Sequence, residues 1–159
     1  MDRYLYLGLI SLLVFAGCAD DSGRPVDLPP LFPATITVTQ GGVPLEDALV
    51  EMTLPDPPLY RPTATTDANG VAVMRTYGFP GAPAGNYKIT VRKGVTENIV
   101  YGTDDFGRQI VLSSDNFLVV QPRYSDVGET PHEIEVPANR RGVQVTIDVG
   151  EPARIRTTR

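Results

Sequence analysis

The sequence predicts an all-β protein built as a single β-sandwich, and three observations carry that prediction. From Ala34 onward apolar and polar residues alternate with period two, the mark of half-buried strands. Turn signals rich in Gly, Pro, Asn and Asp interrupt the alternation roughly every 8–12 residues, the spacing of short strands in a sandwich. No stretch of this part of the chain carries the apolar spacing of an amphipathic helix. Sheets made of such strands bury their apolar faces only by packing against each other.

Each strand follows from its own residues. In 35–39, Ile36 and Val38 share one face while threonines take the other, and Gly41-Gly42 then supplies the backbone freedom of a turn. Residues 48–54 alternate again, with Val50, Met52 and Leu54 on one side. Pro55, Pro57 and Pro58 end that strand, because proline cannot donate to a ladder. Pro62 predicts an edge strand over 60–66, and the turn Asp67-Ala68-Asn69-Gly70 predicts that 71–77 return as its hairpin partner. After a Gly/Pro-rich loop at 78–85, residues 87–92 alternate without a break. Residues 134–136 and 143–149 complete the set.

With 159 residues, 42% of them apolar, and 15 Gly plus 15 Pro, the chain suits one turn-rich domain with a core of its own. One Cys and one His exclude an internal disulfide and the usual four-ligand zinc site, and any Ser-His-Asp triad would have to use His132. A net charge of −5 argues against a nucleic-acid partner, which requires a concentrated basic surface. No cofactor and no metal are expected. The Asp67 turn lacks the third early oxygen ligand and the terminal Glu of a calcium loop, and Asp104-Asp105 with Gly107 is similar.

Ahead of the domain the chain reads as a leader and a tether. Residues 4–15 form an uncharged apolar run, too short for the ~20 residues of a membrane-crossing helix and suited to the apolar region of a signal peptide. Ala16-Gly17-Cys18 follows. This resembles the lipobox of bacterial lipoproteins, which implies cleavage between Gly17 and Cys18, acylation of Cys18, a membrane partner held through that lipid, and a place in the cell envelope. Each buried methylene contributes ~0.8 kcal/mol, and stable anchoring takes more than one chain. Residues 1–17 are then the signal peptide and 18–33 a lipidated, Pro-rich tether reaching up to ~40 Å at ~3.1 Å per residue.

Within the domain, three segments occur in order: Gly42-Val43-Pro44-Leu45-Glu46-Asp47-Ala48-Leu49-Val50, Thr66-Asp67-Ala68-Asn69-Gly70, and Pro83-Ala84-Gly85-Asn86-Tyr87 at the start of a strand. Together they resemble the carboxypeptidase regulatory-like domain, a small sandwich related to transthyretin and to Cna-B modules. The resemblance implies an immunoglobulin-like or prealbumin-like sandwich over 34–149. It covers 34–93 well and 117–149 loosely, which sets 94–116 apart as a segment that could form an extra inserted hairpin, read first as a stabilising extension of one sheet and second as a binding insertion, and leaves 150–159, with Arg154, Arg156 and Arg159, as a basic tail. It does not bring the ureide hydrolase activity of transthyretin-like enzymes, because the chain ends Arg156-Thr157-Thr158-Arg159 instead of in their Tyr-Arg-Gly-Ser. Nor does it bring the internal Lys–Asn bond of Cna-B modules, because Lys88 and Lys93 both fall late.

The expected function is that of a non-catalytic, lipid-anchored envelope protein whose sandwich is a structural or protein-interaction module, with an envelope protein or polymer as partner. The alternative is a saccharide- or peptide-binding lipoprotein that uses the 78–85 loop and the 94–116 insertion, because loops on a rigid scaffold host binding surfaces. Its binding-loop residues would be Phe79, Tyr101, Asp104, Asp105 and Phe106. A hydrolase ranks last: no carboxylate spacing marks a pair, no catalytic residue is assigned, and His132 reads as a solvated side chain.

Overall fold

The computed structural model describes residues 23, 25, 27–55 and 60–157, so the expected cleavage and acylation sites at Gly17 and Cys18 lie outside the described residues. In chain order the strands are β1 (Leu31–Phe32), β2 (Ala34–Gln40), β3 (Val43–Pro44), β4 (Leu49–Thr53), β5 (Thr63–Thr65), β6 (Val71–Val73), β7 (Arg75–Thr76), β8 (Phe79–Pro80), β9 (Ala82–Pro83), β10 (Gly85–Arg92), β11 (Gly94–Thr103), β12 (Gln109–Leu118), β13 (Glu133–Val136), β14 (Val143–Asp148) and β15 (Ile155–Arg156). One turn of 3-10 helix lies at Pro122–Tyr124. No helix among the described residues is long and apolar enough to cross a membrane.

Two sheets form the body. One runs β13-β10-β4-β5-β7-β8, and the other places β14 on one side of β2 and both β3 and β6 on the other. The fold is thus a β-sandwich. Its core is what the period-two pattern selects: Ile36 and Val38 of β2 and Ala72 of β6 are fully buried with Val50 and Met52 of β4 and with Ile89 and Val91 of β10. The β2–β14 pairing is parallel, with Ala34 opposite Val143 and Thr39 opposite Asp148. A parallel pair cannot be joined by a tight turn, and here it joins the first long strand of the body to the last.

The three motifs each close a local circuit. The buried Thr66 hydroxyl accepts from the Ala48 amide at 2.8 Å and donates to the Leu45 carbonyl at 2.6 Å, tying the Asp67 turn to the segment that begins at Gly42. Tyr87 of the third motif, near the start of β10, donates back to the Pro83 carbonyl at 2.9 Å, and burial pushes its hydroxyl pKa up to about 12. Gly70 has φ +73°, and a Cβ there would lie 2.4 Å from the Val38 carbonyl oxygen, so two segments meet where only glycine fits.

Four sequence expectations are corrected. Strand β5 lies between β4 and β7 instead of at an edge. β6 does not pair with it as a hairpin: after the Asp67 turn the chain crosses to the other sheet and pairs with β2, leaving only Thr63 opposite Arg75. The segment expected to be tether up to residue 33 is already engaged further upstream, with Leu28 buried and Leu31–Phe32 paired to Ala82–Pro83, because its apolar residues find the flank of the sandwich. The tail is docked as well: Ile155–Arg156 add a strand to β12, and the Thr157 amide donates to Asn116.

The body has two poles. At one, Pro33 meets Gly142 and Ala34 pairs with Met74 and Val143. At the other, the Gln40 side-chain amide donates to the Val119 carbonyl and Val149 donates to Thr39. The seven residues of β2 separate the poles by about 20–23 Å.

Candidate functional site

Strands β11 and β12 leave the second pole as a ten-residue antiparallel ribbon and form, with β15, a sheet of their own. A hairpin thus spans Gly94 to Leu118 and stands on a sheet of its own, where the simpler expectation was an extension of one sandwich sheet. We refer to β11, β12 and β15 as the arm. Neither strand of its outer half contributes to the buried core.

The root of the arm is a set of ion pairs. Arg154 grips Glu97 with two hydrogen bonds, at 3.1 and 2.6 Å, and its guanidinium lies 4.1 Å over the Phe117 ring. The side-chain hydrogen bond to Glu97 raises the Arg154 pKa. Arg156 pairs with Asp115, whose carboxyl is held below its usual range first by the Asn98 amide at 2.9 Å and then by Arg156. Asn98 takes φ +50° at a register shift between Glu97 and Val100, a bulge at which Asn is among the residues that tolerate left-handed backbone.

Beyond the bulge the ribbon carries no charge until its tip. Tyr101 lies opposite Val111 and Gly102 opposite Ile110, so by alternation each face of the ribbon presents apolar residues. A Cβ on Gly102 would fall 2.7 Å from Leu112, whose side chain covers the glycine. Tyr101 is 54% exposed, Val111 56% and Leu112 62%.

The tip places the sequence-predicted residues plainly. Asp104 accepts the amides of Phe106 and Arg108 at 2.9 and 2.8 Å and pairs with the Arg108 guanidinium at 2.8 Å. The Arg108 amide is the first cause that lowers its pKa. Its lone pairs are thus committed to the turn. Phe106 projects at 84% exposure, with Arg108 5.3 Å from its ring centre. Tyr101, Asp104, Asp105 and Phe106 therefore share the arm.

Phe79 does not join them. It sits in β8, pairs with Thr76 and is half-buried, and the chain just after it docks on the first pole, where a Cβ on Gly81 would meet the Phe32 carbonyl. The 78–85 loop and the 94–116 insertion thus lie at opposite ends of the body. Sequence reasoning missed Ile110, Val111 and Leu112, because a run of three apolar residues is also what a core strand looks like.

The other candidates have structural partners. His132 is half-buried instead of solvated, stacked 5.4 Å from Tyr124 with Nε2 3.1 Å from the Asp148 carbonyl, and burial lowers its pKa. Lys88 pairs with Glu133, and Lys93 donates to the Glu46 carbonyl at 2.6 Å. Among the described residues no group of three or more His, Cys, Asp or Glu side chains is placed to hold a metal.

No family model and no curated protein matches the sequence. Among solved structures the chain is similar to the major pilin subunit of Bacillus cereus, at 16% identity and a TM-score of 0.40, over 79% of this chain and 30% of the pilin. The chain spans about a third of the pilin's length.

Proposed function

We propose that the chain is a non-catalytic, lipid-anchored protein of the cell envelope, related to the carboxypeptidase regulatory-like sandwiches, in which the body is a spacer and the arm is the element that makes contact. The observation that carries this reading is the polarity of the body. The N-terminal segment that would lead back to an acylated Cys18 enters at the Pro33–Gly142 pole, and the arm leaves from the opposite one. Anchoring at one end thus presents the arm on the side facing away from the lipid.

The family likeness is supported by the roles of Thr66 and Tyr87, whose hydroxyls close the circuits that their motifs require. With Leu28 already buried, nine residues remain between Cys18 and the docked segment, which at ~3.1 Å per residue limits the reach to ~28 Å. The saccharide- or peptide-binding alternative draws on the 78–85 loop and the 94–116 insertion, which lie at opposite ends of the body and would form two separate surfaces.

Replacing Cys18 by Ser in the full chain tests the anchor. Loss of incorporated radiolabelled palmitate and release of the protein from the membrane fraction are expected; a C18S chain that still sediments with membranes would overturn it.

A further inference from the structure

The outer half of β11, residues 99–103, is an uncharged strand with apolar side chains on both faces, and among the described residues only β12 pairs with it. Its outer edge is open. Folded proteins blunt open edges with charge, proline or a bulge, and here the bulge at Asn98 protects the root alone. The edge of β12, by contrast, is taken at Phe117 and Leu118 by β15 and is broken in its outer half by a second register shift, which leaves Leu112 as an extra residue between Val111 and Ser113.

Val100, Tyr101, Ile110, Val111 and Leu112 are exposed on the two faces of the ribbon and Phe106 at its tip. A folded chain seldom leaves so many large apolar side chains bare on one projecting element without a partner.

We propose that this edge pairs with the same edge of a second copy of the chain, antiparallel across a two-fold axis, so that two arms join into one continuous sheet. Charge selects this occupant. Glu97, Asp104 and Asp115 are already paired with Arg154, Arg108 and Arg156, and the one further carboxylate of the arm is Asp105 at the tip, outside 99–103, so this edge offers no row of charge to a basic or acidic partner. Identical strands meet over 99–103 without like charges facing each other. A lipid bilayer fits worse, because Phe106 cannot enter hydrocarbon without drawing in Asp104 and Asp105 beside it.

The arm also resolves a repulsion. Each copy is acidic overall, at −5. Pairing centred near Tyr101 sets the two Glu97 roots roughly 26 Å apart at ~3.3 Å per residue. That is several times the ~8 Å screening length at physiological salt. The inference takes the arm as the contacting element and does not depend on lipid attachment.

The test uses the full chain in the producing cell, with the photo-crosslinking residue benzoylphenylalanine in place of Tyr101. Irradiation is expected to give an adduct of twice the chain mass, and Val100→Lys or Thr103→Lys is expected to cut its yield at least fivefold. Val43→Lys, exposed on the sandwich, leaves the yield unchanged. Both arm variants keep the wild-type melting midpoint to within ~2 °C, as surface changes do. An adduct to another protein or to lipid, no adduct, or an adduct undiminished in both folded lysine variants would each overturn the proposal.

Discussion

The pattern Thr-Asp-x-x-Gly occurs twice, at 66–70 and at 103–107, and the two copies fold into one turn in opposite surroundings. Asp67 accepts the amides of Asn69 and Val71, and Asp104 accepts those of Phe106 and Arg108. The Asp67 amide donates to Val71 and the Asp104 amide to Arg108, and Gly70 and Gly107 take φ +73° and +77°. Beyond that identity everything differs. Thr66 is buried, Thr103 is exposed, and the first turn passes the chain from sheet to sheet whereas the second returns it along its own ladder. Five residues fix a turn, and the packing around them fixes what the turn connects.

The contrast breaks first at the glycines. Gly70→Ala combines a left-handed backbone with a Cβ 2.4 Å from the Val38 oxygen, and its expected cost is about 3–4 kcal/mol. Gly107→Ala has the same φ with nothing within 4 Å, so only the backbone preference of about 1 kcal/mol remains. Urea midpoints with unchanged slopes measure both. Equal losses would mean that the close approach at Gly70 is relieved at no cost.

Next in size is the threonine pair. Thr66→Val leaves the Ala48 amide and the Leu45 carbonyl unpaired in the core, an expected loss of about 2–3 kcal/mol, whereas Thr103→Val stays within about 0.5 kcal/mol. Thermal midpoints of the two variants separate them.

Acid sharpens the comparison with a smaller effect. Burial holds the body's His132 below its unfolded pKa, so the unfolded chain binds the proton first; stability is full above about pH 6.5 and falls as pH drops through that value. His132→Gln removes that slope from a pH series of melting midpoints. The arm responds later: the Asp104 carboxyl is held low by the Arg108 amide, so protection of the Phe106 and Arg108 amides persists above the normal carboxylate range and is lost as pH falls through the lowered value. Hydrogen exchange at these two amides reads it. Simultaneous loss at His132 and at the tip would show that arm and body unfold as one unit.

The sequence made the strands of the body legible wherever one face met the core: β2, β4, β10, β13 and β14 all follow from alternation. What it did not carry was pairing across the sandwich. The chemistry of the Asp67 turn is local and identical to that at Asp104, so nothing in it distinguishes a hairpin from a crossing between sheets. The docking of Leu28 and of Arg154 was hidden for a similar reason, since a proline-rich or basic segment acquires its partners only once the flank or the arm exists. Of the candidate residues, those at 101 and 104–106 were found together, because a turn signal between apolar runs announces a projecting hairpin. Phe79 was misplaced: an aromatic residue in a Gly/Pro-rich loop gives no sign of the strand pair that half-buries it.

The parallel pairing of β2 with β14 has a mechanical consequence. A pull applied at Pro33 against one applied at Val149 acts along the axis of both strands and in opposite senses. The six residue pairs from Ala34–Val143 to Thr39–Asp148 are then loaded together, in shear, and do not open in succession as an unzipping hairpin does. A strain between these two points is thus met by the seam where the first and last long body strands lie side by side.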